Sequence, residues 1–148
     1  MSTHIKKIST IELQSNQHSI IDLYNSLQWT VYTKNEEELI RALLNSHLVL
    51  GCFVKERLIG LLRTISDDSS IVYIQDILVH PDFQRKSIGR KLILECLQNY
   101  QHVRTILLLT DNRESQLKFY TSLGFSNTKE LQKTPLNTFV KMNGIQLE

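Results

Sequence analysis

Apolar positions along the chain follow two periods, and the switches between them outline its elements. Ile5, Ile8 and Ile11 suggest a short opening strand. From His18 to Leu27, the apolar positions Ile20, Ile21, Leu23, Tyr24 and Leu27 fall at helical spacing. A polar and aromatic loop, Gln28 to Thr33, comes next. Asn35 then reads as an N-cap, with Glu38 three residues on in a near capping box ahead of Leu39, Leu43 and Leu44. The glutamates at 36–38 are therefore assigned to a first helical turn, where carboxylates complement the helix dipole. His47 to Lys55 and Leu58 to Ser66 are expected to pair as a hairpin around Glu56-Arg57. A polar break at 67–70 leads into a third strand, Ile71 to Val79. These three strands read as apolar on both faces, as in a sheet covered on both sides.

The second half alternates more regularly. Ser87 to Gln101 predicts a long helix whose stripe is Ile88, Leu92, Ile93, Cys96, Leu97 and Tyr100. Val103 to Thr110 reads as an apolar strand. Glu114 to Leu123 reads as a helix stopped by Gly124, the expected left-handed residue after a C-terminus. Phe125 to Thr128 and Asn137 to Met142 complete the pattern as strands around a loop holding Pro135. The sum is one α/β domain over residues 1–148, with a mixed, mostly antiparallel central sheet of about seven strands and flanking helices.

Composition narrows the function classes. A chain of 148 residues with 41% hydrophobic and 22% charged residues is ordinary globular material. Its 17 basic and 15 acidic residues are too balanced for nonspecific nucleic-acid binding. Cys52 and Cys96 match no zinc spacing and read as small buried hydrophobes, so no metal is expected. The sequence MSTHIKKIST lacks a signal-peptide core and no run is long enough to span a bilayer, so a cytoplasmic setting away from membranes is expected.

Positive charge is concentrated where a strand gives way to a helix. After Val79, the segment His80-Pro-Asp-Phe-Gln-Arg-Lys-Ser-Ile-Gly-Arg-Lys91 carries Arg85, Lys86, Arg90 and Lys91 around a helix start. Unpaired N–H groups at a helix N-terminus bind phosphate, and Gly89 allows close backbone approach. The segment lacks the Gly-Lys-Ser/Thr ending of a Walker loop and the three glycines of a dinucleotide fingerprint. Alone, Arg90 and Lys91 also fit the solvated face of a helix.

Gln84-Arg85-Lys86-Ser87-Ile88-Gly89 resembles the Q/R-x-x-G-x-G/A motif of the GNAT family of N-acetyltransferases, with Ser87 standing where the first motif glycine is usual. Phe119-Tyr120-Thr-Ser-Leu-Gly-Phe125 resembles a second signature of that family, in the expected order and with a strand between the two. The resemblance covers residues 47–142 and implies the acyl-coenzyme A N-acyltransferase fold. It further implies acetyl-coenzyme A as co-substrate and a primary amine, on a small molecule or a peptide, as acceptor. Homodimers are frequent in the family.

The resemblance carries over to individual positions. The backbone of Ile77, Leu78 and Val79 would pair with the pantetheine arm, and one of its N–H groups would polarise the thioester carbonyl. Gln84, Arg85, Lys86, Ser87, Ile88, Gly89 and Arg90 would hold the pyrophosphate. Asn112 stands for a cofactor-contacting asparagine, although a helix N-cap is an equal reading. Tyr120 would be the general acid, since a phenol of pKa about 10 is protonated at neutral pH. Packing on the inner face of its helix is the alternative.

The general base is open. Asp76 lies within an apolar strand, read as sharing a face with Ile74 and Leu78, and a buried carboxylate there is either a base or a structural acceptor of hydrogen bonds. His80 is a lesser candidate. Trp29 and Tyr32 either line an acceptor pocket or anchor their loop on the core; the first reading favours an amine with an apolar or aromatic group. Two rivals stand beside the enzyme. One is a non-catalytic acyl-coenzyme A-binding or regulatory domain of the same fold. The other is a phosphate-binding α/β domain that takes a nucleotide or nucleic acid at 85–91.

Overall fold

The computed structural model describes all 148 residues. They form two compact units, Met1–Leu109 and Thr110–Glu148, described here in turn.

The first unit is a five-stranded sheet in the order β1-β2-β3-β4-β5. The strands are β1 (Thr3–Lys7), β2 (Leu48–Val54), β3 (Arg57–Ser66), β4 (Ile71–Val79) and β5 (Thr105–Leu108). Neighbours run antiparallel except β4 and β5, which are parallel and joined through the helix α5 (Ile88–Asn99). Between β1 and β2 the chain forms α1 (Thr10–Ser15), α2 (Gln17–Ser26), α3 (Thr30–Thr33) and α4 (Glu36–Leu44). The stretch expected as a loop at 28–33 thus contains a one-turn helix.

Local chemistry explains the element starts. Asn35 caps α4 by accepting from the Glu38 N–H, but Glu38 turns to Arg41 and does not close the box. The complete capping box lies at α1, where Ser9 accepts from the Glu12 N–H and the Glu12 carboxylate accepts from the Ser9 N–H. The β2–β3 hairpin turns at Lys55-Glu56, one residue earlier than expected, with Lys55 in the left-handed region at φ 54°.

One face of the sheet packs against α1–α4 through Ile20, Leu23, Tyr24, Leu39, Leu43, Leu61 and Leu78. The other packs against α5. Gly60 makes that approach possible: a Cβ there would lie 3.2 Å from Ile88 and from Leu92 and 3.3 Å from Cys52. The stripe of α5 is as expected except that Leu97 is only partly buried.

β4 departs from the expectation of two apolar faces: Tyr73, Ile77 and Val79 are half-buried and Gln75 is exposed. Its ladder with β3 skips a residue. Arg63 pairs with Asp76 and Thr64 with Ile74, leaving Gln75 as a bulge. Consecutive residues of β3 face opposite ways, so Asp76 lies on the Arg63 face and Ile74 on the other. The reading that placed Asp76 and Ile74 on one face is corrected by this extra residue.

The second unit holds α6 (Glu114–Ser122), with Gly124 beyond its end at φ 92° as expected. The strands expected at 125–128 and 137–142 do not form, so the sheet has five strands and not seven. The Asn127 side chain caps a 3₁₀ turn at Thr128–Glu130 and so takes the backbone out of extended geometry. Farther on, a single bridge, Met142 to Ile145, forms around Gly144 at φ 75°. No helix is long and apolar enough to cross a membrane.

Candidate active site

The cradle begins where β4 outruns its neighbour. Pairing with β5 covers Ile71 to Ile74, so Gln75 to Val79 continue with no β5 residue beside them. This is the backbone edge that includes Ile77, Leu78 and Val79. A 3₁₀ turn at Pro81–Phe83 follows, capped by the His80 ring, which accepts from the Asp82 N–H at 3.1 Å. The Gln84 amide donates to the Val79 carbonyl at 3.0 Å, so the Gln84 side chain closes the strand end and its share in a cradle is its backbone.

Arg85 and Ser87 both adopt left-handed backbone, at φ 61° and 63°. Ser87 therefore keeps the shape that a glycine would take, at a strain cost of about 1–2 kcal/mol. That shape starts α5 abruptly. Lys91 is the first residue to donate back into the helix, to the Ser87 carbonyl, and no side chain caps the end. The N–H groups of Ser87 to Arg90 are left without helical acceptors. The first turn carries no acidic residue, while Arg85, Lys86 and Arg90 are exposed around it. Ile88 buries its side chain under Gly60, so only its backbone faces the cradle. The arrangement gathers backbone donors, the positive end of a helix dipole and side-chain charge, the features that suit an anion.

Asp76 is 3% exposed and fully engaged. Its Oδ2 accepts from Arg63 Nε at 2.5 Å and from the Tyr24 hydroxyl at 2.8 Å. Its Oδ1 accepts from the Tyr32 hydroxyl at 2.7 Å. Arg63 in turn donates to Ser46, which donates to the Ala42 carbonyl. Of the two readings open for this carboxylate, the geometry matches the structural acceptor. Burial first, and then the Asp76 charge, raise the Tyr24 and Tyr32 phenols above their ordinary range, so both stay protonated. The sequence reading missed Tyr24, Arg63 and Gln75. A usable signal existed, since Arg63 and Asp76 each interrupt an apolar strand and a buried charge needs a partner.

Trp29 and Tyr32 are half-buried and pack on the core with ring centroids 5.9 Å apart. They anchor their loop, and each keeps an open side.

In the second unit, Tyr120 is 9% exposed between Phe119 and Phe125, with edge-to-face ring contacts at 5.0 and 5.8 Å. Burial raises its pKa, which keeps the phenol protonated at neutral pH. Asn112 is exposed and does not cap α6; the cap position is Arg113, whose N–H and guanidinium both donate to Asp111.

Comparison with known proteins gives one consistent result. The family model described as "Acetyltransferase (GNAT) domain" matches residues 12–145. The uncharacterized N-acetyltransferase ycf52 of Gracilaria tenuistipitata var. liui is 30% identical over 116 residues, which is 74% of this chain and 62% of the relative. The chain thus spans under two thirds of that relative's length. Among solved structures, a GNAT-family acetyltransferase of Streptococcus pneumoniae TIGR4 covers 95% of this chain and 100% of its own, at 28% identity and TM-score 0.76. PaiA N-acetyltransferase of Thermoplasma acidophilum, solved in complex with coenzyme A, shares the fold at TM-score 0.58 and 22% identity, covering 85% of this chain and 91% of its own.

Proposed function

Because the chain belongs to the GNAT family of acetyltransferases, we propose that it transfers the acetyl group of acetyl-coenzyme A directly to the nitrogen of a primary amine. The observation that carries this reading is the uncapped start of α5, with left-handed Arg85 and Ser87, set one short turn after the unpaired edge of β4. A long co-substrate with an anionic middle and an amide-bearing arm fits that succession. The N–H groups of Ser87 to Arg90 would take the pyrophosphate, aided by Arg85, Lys86 and Arg90. The backbone of Ile77 to Val79 would take the arm and orient the carbonyl.

Acetyl-coenzyme A supplies an activated acetyl thioester, and coenzyme A leaves as the thiol when the amide bond forms. Tyr120 is assigned the proton delivered to that sulfur, because burial raises its pKa and so keeps its phenol protonated at neutral pH. Asp76 is assigned to hold Tyr24, Tyr32 and Arg63 in place, and the acceptor enters as the free amine. Asn112, exposed and uncommitted as a cap, remains free for a ligand contact. A second copy of the chain is the proposed partner, on the family's habit alone.

Calorimetric titration of acetyl-coenzyme A, with coenzyme A lacking its 3′-phosphate as control, tests the first half. Micromolar binding is expected, and no detectable heat with a folded protein refutes the cradle. Tyr120→Phe should lower turnover by about tenfold or more, roughly 1.4 kcal/mol in barrier, while leaving acetyl-coenzyme A affinity nearly intact. Unchanged turnover removes Tyr120 from the mechanism.

A further inference from the structure

Gln75 is the residue that the β3–β4 ladder leaves out. Its amide Nε2 lies 3.2 Å from the Tyr32 hydroxyl, which itself lies 2.7 Å from Asp76. The proton positions in this chain follow from counting donors. Asp76 accepts from Arg63 on one oxygen and from Tyr32 on the other, so the one phenolic proton of Tyr32 goes to Asp76. The Tyr32 oxygen can then only accept from any other partner. Gln75 must therefore present its NH₂ to Tyr32, which leaves its carbonyl oxygen, on an exposed side chain, turned away.

The outcome is two free acceptor positions, the Gln75 carbonyl and the remaining lone pair of Tyr32, on either side of the Gln75 amide nitrogen that links them. Such a pair suits a head group that brings two N–H donors. The half-buried Trp29 ring lies beside Tyr32 at 31° to it and offers a flat apolar wall. Gln75 also precedes Ile77 by two residues on one strand, about 6.6 Å along it.

Resting on the acetyltransferase reading above, we infer that Gln75 and Tyr32 are the residues that read the acceptor's amino group, and that the acceptor is a primary amine carried next to an aromatic ring. Both would touch substrate. Asp76, Arg63 and Tyr24 are positioning residues that fix the direction of the Tyr32 proton. The pair binds the free amine through its two N–H donors and leaves the nitrogen lone pair free, and it rejects an alcohol of the same shape less by size than by donor count.

The test uses the full chain, acetyl-coenzyme A and benzylamine, with thiol release as the assay. The KM for benzylamine should rise roughly tenfold or more in Gln75→Leu and in Tyr32→Phe, while the dissociation constant of acetyl-coenzyme A moves by less than about twofold. Gln75 is exposed, so Gln75→Leu puts no folding burden on the result even where Tyr32→Phe lowers stability. Benzyl alcohol should compete with benzylamine about tenfold more weakly than the amine binds, and Gln75→Leu should erase that preference. Unchanged benzylamine KM in Gln75→Leu overturns the pair and leaves acetyl transfer standing. Turnover of polar amines with none of benzylamine overturns the aromatic assignment. No thiol release from the wild type with any primary amine overturns the acetyltransferase reading, and this inference falls with it.

Discussion

Replacing Asp76 by Asn separates a structural carboxylate from a catalytic base. The variant keeps shape and removes one charge. Arg63, itself 6% exposed, would then be a buried guanidinium whose anionic partner is gone. Breaking one half of a buried pair costs about 3–5 kcal/mol, because the remaining charge is left uncompensated. The two phenols lose their shared acceptor as well, and an amide can present only one oxygen to three donors. A loss of that size is a large part of a domain's total stability of about 5–15 kcal/mol. Urea unfolding followed by circular dichroism measures it. The double variant Arg63→Met/Asp76→Leu should recover most of the loss, since exchanging both charges for packed apolar groups is often neutral or better. A cost below about 1 kcal/mol for Asp76→Asn, the range of exposed ion pairs, refutes the reasoning. If such a stable variant were also inactive, Asp76 would be the base after all.

Two further predictions concern the cradle. Ser87→Gly relieves the left-handed strain at φ 63° and should raise stability by up to about 1 kcal/mol in thermal melts, with acetyl-coenzyme A affinity equal or tighter; a lower melting temperature would mean that the serine is not strained. Gly60→Val places methyl groups where a Cβ alone already meets Ile88 and Leu92 at 3.2 Å. Overpacking there should cost about 1–3 kcal/mol and, by shifting the start of α5, weaken acetyl-coenzyme A binding in the same titration. Unaltered affinity would show that the cradle does not depend on how α5 seats on β3.

Local signals were legible and long-range ones were not. The Asn35 cap, Gly124 after α6 and the stripe of α5 depend on residues a few positions apart, so periodicity and cap chemistry were enough to place them. The motif at 84–89 is also local, and Ser87 in it takes the left-handed backbone that favours glycine. The strands expected at 125–128 and 137–142 failed for the opposite reason. Alternation marks a segment that can extend, whereas a strand exists only if a partner ladder receives it. In this chain Asn127 and Gly144 supply local turns that compete. The Asp76 network required knowing that positions 24, 32, 63 and 76 meet, and nothing in their spacing says so.

The bulge at Gln75 accounts for several features of the site at once. Ile74 is the last residue of β4 paired with β5, and Gln75 is the next. A bulge sharpens the local twist of its strand, and the ladder with β5 ends at the residue before the one where the ladder with β3 slips. Beyond that point the edge of Ile77 to Val79 has no β5 residue beside it. The same extra residue moves Asp76 from the α5 face to the face of α2 and α3, where Tyr24 and Tyr32 reach it. It also leaves Gln75 outside the ladder, with a side chain free to meet Tyr32. Without the bulge, Asp76 would point at α5 and Arg63 would be buried without its anion. The buried ion pair and the open strand edge thus both begin at one inserted residue.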